Sequence, residues 1–156
     1  MEFKNSFFLE RGYYDLVSVL DENVTGSEPF TLRGNFIDLY DNTLPVLHEK
    51  TVAPGTQAFL VNLDRVENPA VPQVVAAASR QYDEVRSAKS YVFVSKSPIN
   101  TTNAMRVLLP ANPKTVSVKD EKGQPVTFEK SWDKQTKTLF LTFDNSPEGR
   151  AVSVKW

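Results

Sequence analysis

Hydrophobic and polar positions along the chain alternate with a period of two. Residues 16–20 read Leu-Val-Ser-Val-Leu, Val116 and Val118 flank Ser117, and Val126 leads through Thr127 to Phe128. Alternation of this kind puts every second side chain on one face of an extended chain, so these runs predict strands. Over residues 138–143, Leu139, Leu141 and Phe143 share one face while Thr138, Phe140 and Thr142 share the other; Val152, Val154 and Trp156 form a further stripe. Strands that are apolar on both sides, like the first of these, suit the interior of a sandwich.

Turn signals divide the runs. Pro54-Gly55 separates residues 47–52 from residues 57–63, Glu121-Lys122-Gly123-Gln124 predicts a hairpin between residues 115–119 and 125–129, and residues 133–136 predict the next turn. The prolines fall largely at junctions, where they would break helices but are tolerated at strand ends and edges. Residues 71–85 are the ambiguous stretch. Val74-Val75-Ala76-Ala77-Ala78 is compatible with a helix opened by Pro72, but a long strand paired with residues 90–96 is the favoured reading. The expected fold is therefore all-β, an antiparallel two-sheet β-sandwich with little or no helix. Residues 23–29 and 64–72 are expected to be its most mobile loops.

Composition narrows the class. The 156 residues are 40% hydrophobic and 24% charged, ordinary for one globular domain able to bury its own core, so residues 1–156 are read as a single domain. Lysine plus arginine number 18 against 19 acids, and the basic residues are scattered, so no electrostatic footprint for nucleic acid is present. No apolar run reaches the roughly 18 residues of a membrane span, and no basic start leads into the apolar core of a signal peptide. Met1 ahead of Glu2-Phe3-Lys4 reads as the start of a piece cut from a larger protein. With no cysteine, disulfides, thiolate metal sites and a cysteine nucleophile are removed together.

Catalytic chemistry finds little to stand on. The one histidine, His48, has no Gly-x-Ser-x-Gly elbow to serve and reads as a half-exposed strand residue. Asp38, Asp41 and Asn42 are candidate oxygen ligands for calcium, but their spacing is not that of an EF-hand loop, and a polar turn running to Pro45 is the plainer reading. A glycosidase needs two carboxylates about 5 to 9 Å apart. Glu10, Asp15, Asp21, Glu22, Asp38, Asp83 and Glu84 are available, without a distinctive motif. No cofactor is expected. Exposed rings would suit a sugar face, and Tyr13, Tyr14 and Trp132 are the candidates, with Trp132 at a turn where capping the core is favoured over display.

Three segments together resemble a known class. Thr51-Val52-Ala53-Pro54-Gly55-Thr56-Gln57-Ala58-Phe59-Leu60 is similar to a Pro-Gly-centred strand pair in the all-β domains that follow the barrel of bacterial α-galactosidase-like and α-glucosidase-like glycoside hydrolases. Arg106-Val107-Leu108-Leu109-Pro110 with Pro113-Lys114-Thr115-Val116-Ser117-Val118 resembles their C-terminal strand and hairpin entry. Residues 131–133, 138–149 and 152–156 look like their closing hairpins. The likeness covers the second half better than the first. It implies a non-catalytic accessory β-sandwich domain of a secreted Bacteroides-type glycoside hydrolase-like protein. Such a domain would be periplasmic or at the cell surface, and would stabilise or orient the catalytic domain of the parent, which carries the acids. An independent carbohydrate-binding module is the alternative, and a small hydrolase the third. The accessory reading further expects a one-sided apolar patch left bare on the isolated domain.

Overall fold

The computed structural model describes residues 5–21 and 28–156. Every sheet in it is antiparallel and the described chain is all-β, the one helical element being a single 3-10 turn. The chain divides into two compact units, Met1–Glu67 and Asn68–Trp156.

The first unit is one five-stranded sheet. Its strands are β1 (Ser6–Arg11), β2 (Tyr14–Val19), β3 (Phe30–Asp38), β4 (Val46–Val52) and β5 (Gln57–Asn62), in the order β1-β2-β5-β3-β4. In β2 the period-two pattern buries Asp15, Val17 and Val19, and these two valines join Phe36, Val52, Ala58 and Leu60 in one core. Gly12, at φ +59, takes the first position of the two-residue turn joining β1 to β2, a backbone state that favours glycine. Pro54-Gly55 does turn the chain between β4 and β5, but β3 lies between the two strands, so the pair expected around that turn does not form. Chain proximity sets the turn, whereas the choice of neighbour follows from which apolar faces must share a core.

The second unit is the two-sheet sandwich. Its strands are β6 (Gln73–Ala77), β7 (Arg80–Arg86), β8 (Ser90–Lys96), β9 (Thr102–Leu108), β10 (Thr115–Lys119), β11 (Phe128–Asp133), β12 (Thr138–Asp144) and β13 (Arg150–Lys155). One sheet runs β10-β13-β8-β7 and the other β11-β12-β9-β6. Tyr91, Phe93, Val118, Val152 and Val154 from the first sheet meet Met105, Val107, Leu139, Leu141 and Phe143 from the second in a single buried cluster. The stripes at Leu139-Leu141-Phe143 and Val152-Val154 are thus core, as their spacing predicts.

Residues 71–85 are extended, but as two strands rather than one. β6 pairs with β9 and β7 with β8, so the chain changes sheets between Ala77 and Arg80. Ala78 still donates its N–H to Ala104 O at 3.1 Å, and Ser95 donates its hydroxyl to Ser79 Oγ at 2.8 Å from the other sheet. Bulges at Val74/Ala76 and Tyr82/Val85 add the local twist that lets one run serve both layers. The 121–124 turn behaves similarly. Lys119 and Pro125 form one bridge and Val126 donates to Val118 O at 2.8 Å, after which the chain leaves to pair as β11 with β12.

Gly149 offers a direct check on this packing. Its φ is +113, and a Cβ there would sit 2.7 Å from Val94 Cγ1 on β8. Gly149→Ala is expected to lower stability by about 1–3 kcal/mol from backbone strain alone. A leftward shift of the denaturant midpoint, partly recovered when Val94→Ala removes the clash, would show both causes; an unchanged midpoint would refute the close approach.

Candidate functional site

The first unit's sheet carries an apolar face that the chain leaves open. Register aligns Leu9 on β1 with Leu16 on β2, and Leu16 with Phe59 on β5, so the three side chains form one row across the sheet. Phe7 stands two residues before Leu9 on the same side of β1, and Tyr14 two residues before Leu16 on β2. Exposure decides the character of this face: Phe7 is 56% exposed, Leu9 44%, Tyr14 36% and Tyr40 60%. In the second unit Tyr82 and Val85 on β7 are also exposed and stand opposite Val94 and Val92 of β8, a smaller apolar patch, while Val71 and Ile99 lie outside the strands.

Rings extend the row. Tyr14 lies 5.6 Å from Phe59 and Tyr40 6.3 Å from the same ring, both tilted, while Tyr13 and Tyr14 are 4.7 Å apart. Such offsets are the favourable geometry of aromatic pairs. Burial, helped by the Tyr13 hydroxyl, pushes the Tyr14 hydroxyl up to about 12, so Tyr14 stays neutral across the physiological range.

The other sequence candidates fall elsewhere. Trp132 is half-buried on β11 and packs against the sandwich core, the capping role its turn position favours, so it belongs to a different unit from Tyr13 and Tyr14. Asp41 forms the expected polar turn, accepting from Thr43 N at 2.8 Å and Thr43 Oγ1 at 2.6 Å, and those bonds hold its carboxyl below the usual range. Asp38 is buried, accepts from Tyr40 N at 3.0 Å and pairs with Lys50 at 2.7 Å. Asn42 is exposed in the turn itself. Among the described residues no group of three His, Cys, Asp or Glu is gathered around a common point. His48 is exposed on β4, its Nδ1 2.9 Å from Asn35 Oδ1.

Glu10, Asp15, Asp38 and Glu84, among the acids considered for a glycosidase pair, have structural partners. Asp15, 1% exposed, is bound by Arg65 and by Asn62 Nδ2 at 3.1 Å, and Arg65 also reaches Glu10. Glu84 accepts from the Tyr91 hydroxyl at 2.7 Å and pairs with Arg86, whose guanidinium stands 4.8 Å from the Tyr91 ring centre. Burial and the Glu84 carboxylate together push the Tyr91 hydroxyl far up. Asp83 takes φ +51 at the β7 bulge, Asp21 lies beside Gly55, and Glu22, like residues 23–27 of the loop expected to be mobile, lies outside the described residues.

Phe7, Leu9 and Phe59 enter the site only through strand pairing. The local signal was the run Phe7-Phe8-Leu9, which lacks the polar alternate that a half-solvated strand carries. No protein-family model, curated protein or solved structure matches the chain.

Proposed function

We propose that residues 1–156 are a non-catalytic accessory module of a secreted, cell-surface or periplasmic carbohydrate-active protein of the Bacteroides glycoside hydrolase-like kind, docking on that protein's catalytic domain. The observation that carries the docking role is the open apolar face of Phe7, Leu9, Leu16, Tyr14, Phe59 and Tyr40. A contiguous apolar surface exposed to water costs about 25 cal/mol per Å², and covering it by a neighbouring domain recovers that energy. Support for the carbohydrate context comes from the resemblance at residues 106–118 and 131–156, since the strand pair expected at residues 51–60 does not form.

The expected result is specific. In the longer protein, joined to its barrel domain, backbone amides of β1 and of residues 13–16 exchange with deuterium more slowly than in the isolated chain. Equal exchange in both, or a reading frame with no catalytic domain beside this segment, would remove the docking role. A second reading has its own observation. Tyr14 and Tyr40 flanking Phe59 make a ring platform of the kind that packs on sugars, which an independent carbohydrate-binding module would use. Titration calorimetry against plant and host glycans tests it, with background heats throughout counting against the platform.

A further inference from the structure

A polar cavity of about 370 Å³ lies between two loops of the sandwich unit. Ile99, Asn100 and Thr101 of the β8–β9 connection line it with Thr102 at the start of β9, and Asn145 of the β12–β13 connection lines it with Asp144 at the end of β12 and Arg150 at the start of β13. Its walls are tied together. Asn145 donates its backbone N–H to Thr101 O at 2.9 Å and its side-chain amide to Thr101 Oγ1 at 3.0 Å, while Thr101 donates its hydroxyl to Pro98 O at 2.6 Å. Arg150 donates Nε–H to Asp144 O at 2.9 Å. Polar groups held this way need little reordering when a ligand arrives.

The lining groups define what fits. Among the described residues the Asp144 carboxylate, the Asn100 amide and the Thr102 hydroxyl make no hydrogen bond within the chain, and all three residues are exposed, so their acceptors and donors are open to a ligand in exchange for water. Asn145 is only 4% exposed, yet its Oδ1 has no partner, although buried amide oxygens in native proteins nearly all have one. An anion is poorly served, because the one cation, Arg150, stands beside Asp144 and 4.0 Å from Glu121. A metal ion is poorly served by a single carboxylate next to a guanidinium. A neutral molecule rich in hydroxyls satisfies both signs at once, and Ile99, 66% exposed, gives it an apolar contact.

We infer that this cavity binds a single neutral sugar residue, with Asp144 and Arg150 reading adjacent hydroxyls and Ile99 packing on the C–H face. The site is separate from the apolar face of the first unit and does not depend on docking there. A ligand of about a dozen heavy atoms without an aromatic platform should bind with a dissociation constant of roughly 1–10 mM.

Nuclear magnetic resonance titration of the full chain with methyl glycosides of glucose, galactose, mannose and fucose tests this, with glycerol as the control. The expected result is saturable amide shifts confined to residues 99–102 and 144–150 for at least one glycoside. Asp144→Asn and, independently, Thr102→Val should weaken that binding at least about 10-fold while leaving all other amide positions in place. Absence of saturable shifts for every glycoside overturns the assignment. So do equal shifts with glycerol, shifts that map to residues 13–16 and 59, or undiminished binding in both variants.

Discussion

Arg65→Ala is expected to destabilise the first unit by about 3–5 kcal/mol, because removing one member of a buried ion pair strands the other. Asp15 is that other member. It sits on the core-facing side of β2 with Val17 and Val19, and it is 1% exposed. Arg65, on the 3-10 turn after β5, meets it with one amino group while another reaches Glu10, and the first also donates to Tyr14 O at 3.1 Å. Without the guanidinium, Asn62 Nδ2, at 3.1 Å, is the one side-chain donor to the Asp15 carboxylate left among the described residues. Arg65→Lys should lose an intermediate amount, since one ammonium cannot span three acceptors. Adding Asp15→Asn to Arg65→Ala should recover part of the loss by removing the stranded charge. Urea unfolding read by hydrogen exchange over residues 5–67 measures each step. A cost for Arg65→Ala within the roughly 0–1 kcal/mol of an exposed pair would mean that Asp15 is reached by water, and the buried-network account would fail.

That pair illustrates what a one-dimensional pattern hides. Asp15 stands at a core position of β2 by the same alternation that places Val17 and Val19 there, and read as a sequence it counts as one more surface acid. Its partner is fifty residues away. The strands themselves were legible, because alternation is local: β2, β10, β12 and β13 fall where residues 16–20, 116–118, 138–143 and 152–156 place them. Pairing was not legible. The insertion of β3 between β4 and β5, and the change of sheet between β6 and β7, depend on which faces bury together, information spread over the whole unit.

The candidate site divides along the same line. Tyr13 and Tyr14 could be named from their residue type, and the half-burial of Trp132 against the core follows from its place beside a turn. The row of Leu9, Leu16 and Phe59 could not, since its members lie on three strands and become neighbours only in this register. A shift of one residue on β1 would send Phe7 and Leu9 to the opposite face and put Phe8 in their row. Phe8 instead packs toward Phe30, with ring centres 5.5 Å apart, which helps hold the register. The open face is thus a product of pairing, as the core is.

In the second unit the largest single loss should come from Phe93→Ala, about 3–5 kcal/mol for an aromatic ring removed from a closed core. Phe93 is fully buried on β8, directly opposite Val152 of β13, and its ring lies 4.9 Å from Tyr91. Both sheets close on this cluster, with Leu139 and Leu141 supplied from β12. The neighbours cannot easily collapse into the space. Tyr91 is tethered through its hydroxyl to Glu84, and β-branched Val152 and Val154 have stiff side chains. Phe93→Leu, which keeps most of the volume, should cost less than half as much. Hydrogen exchange should report the loss over residues 68–156. If Phe93→Ala and Phe93→Leu lowered stability equally, the cost would lie in ring geometry rather than in the cavity, and close packing of the two sheets around this residue would not be what holds the sandwich together.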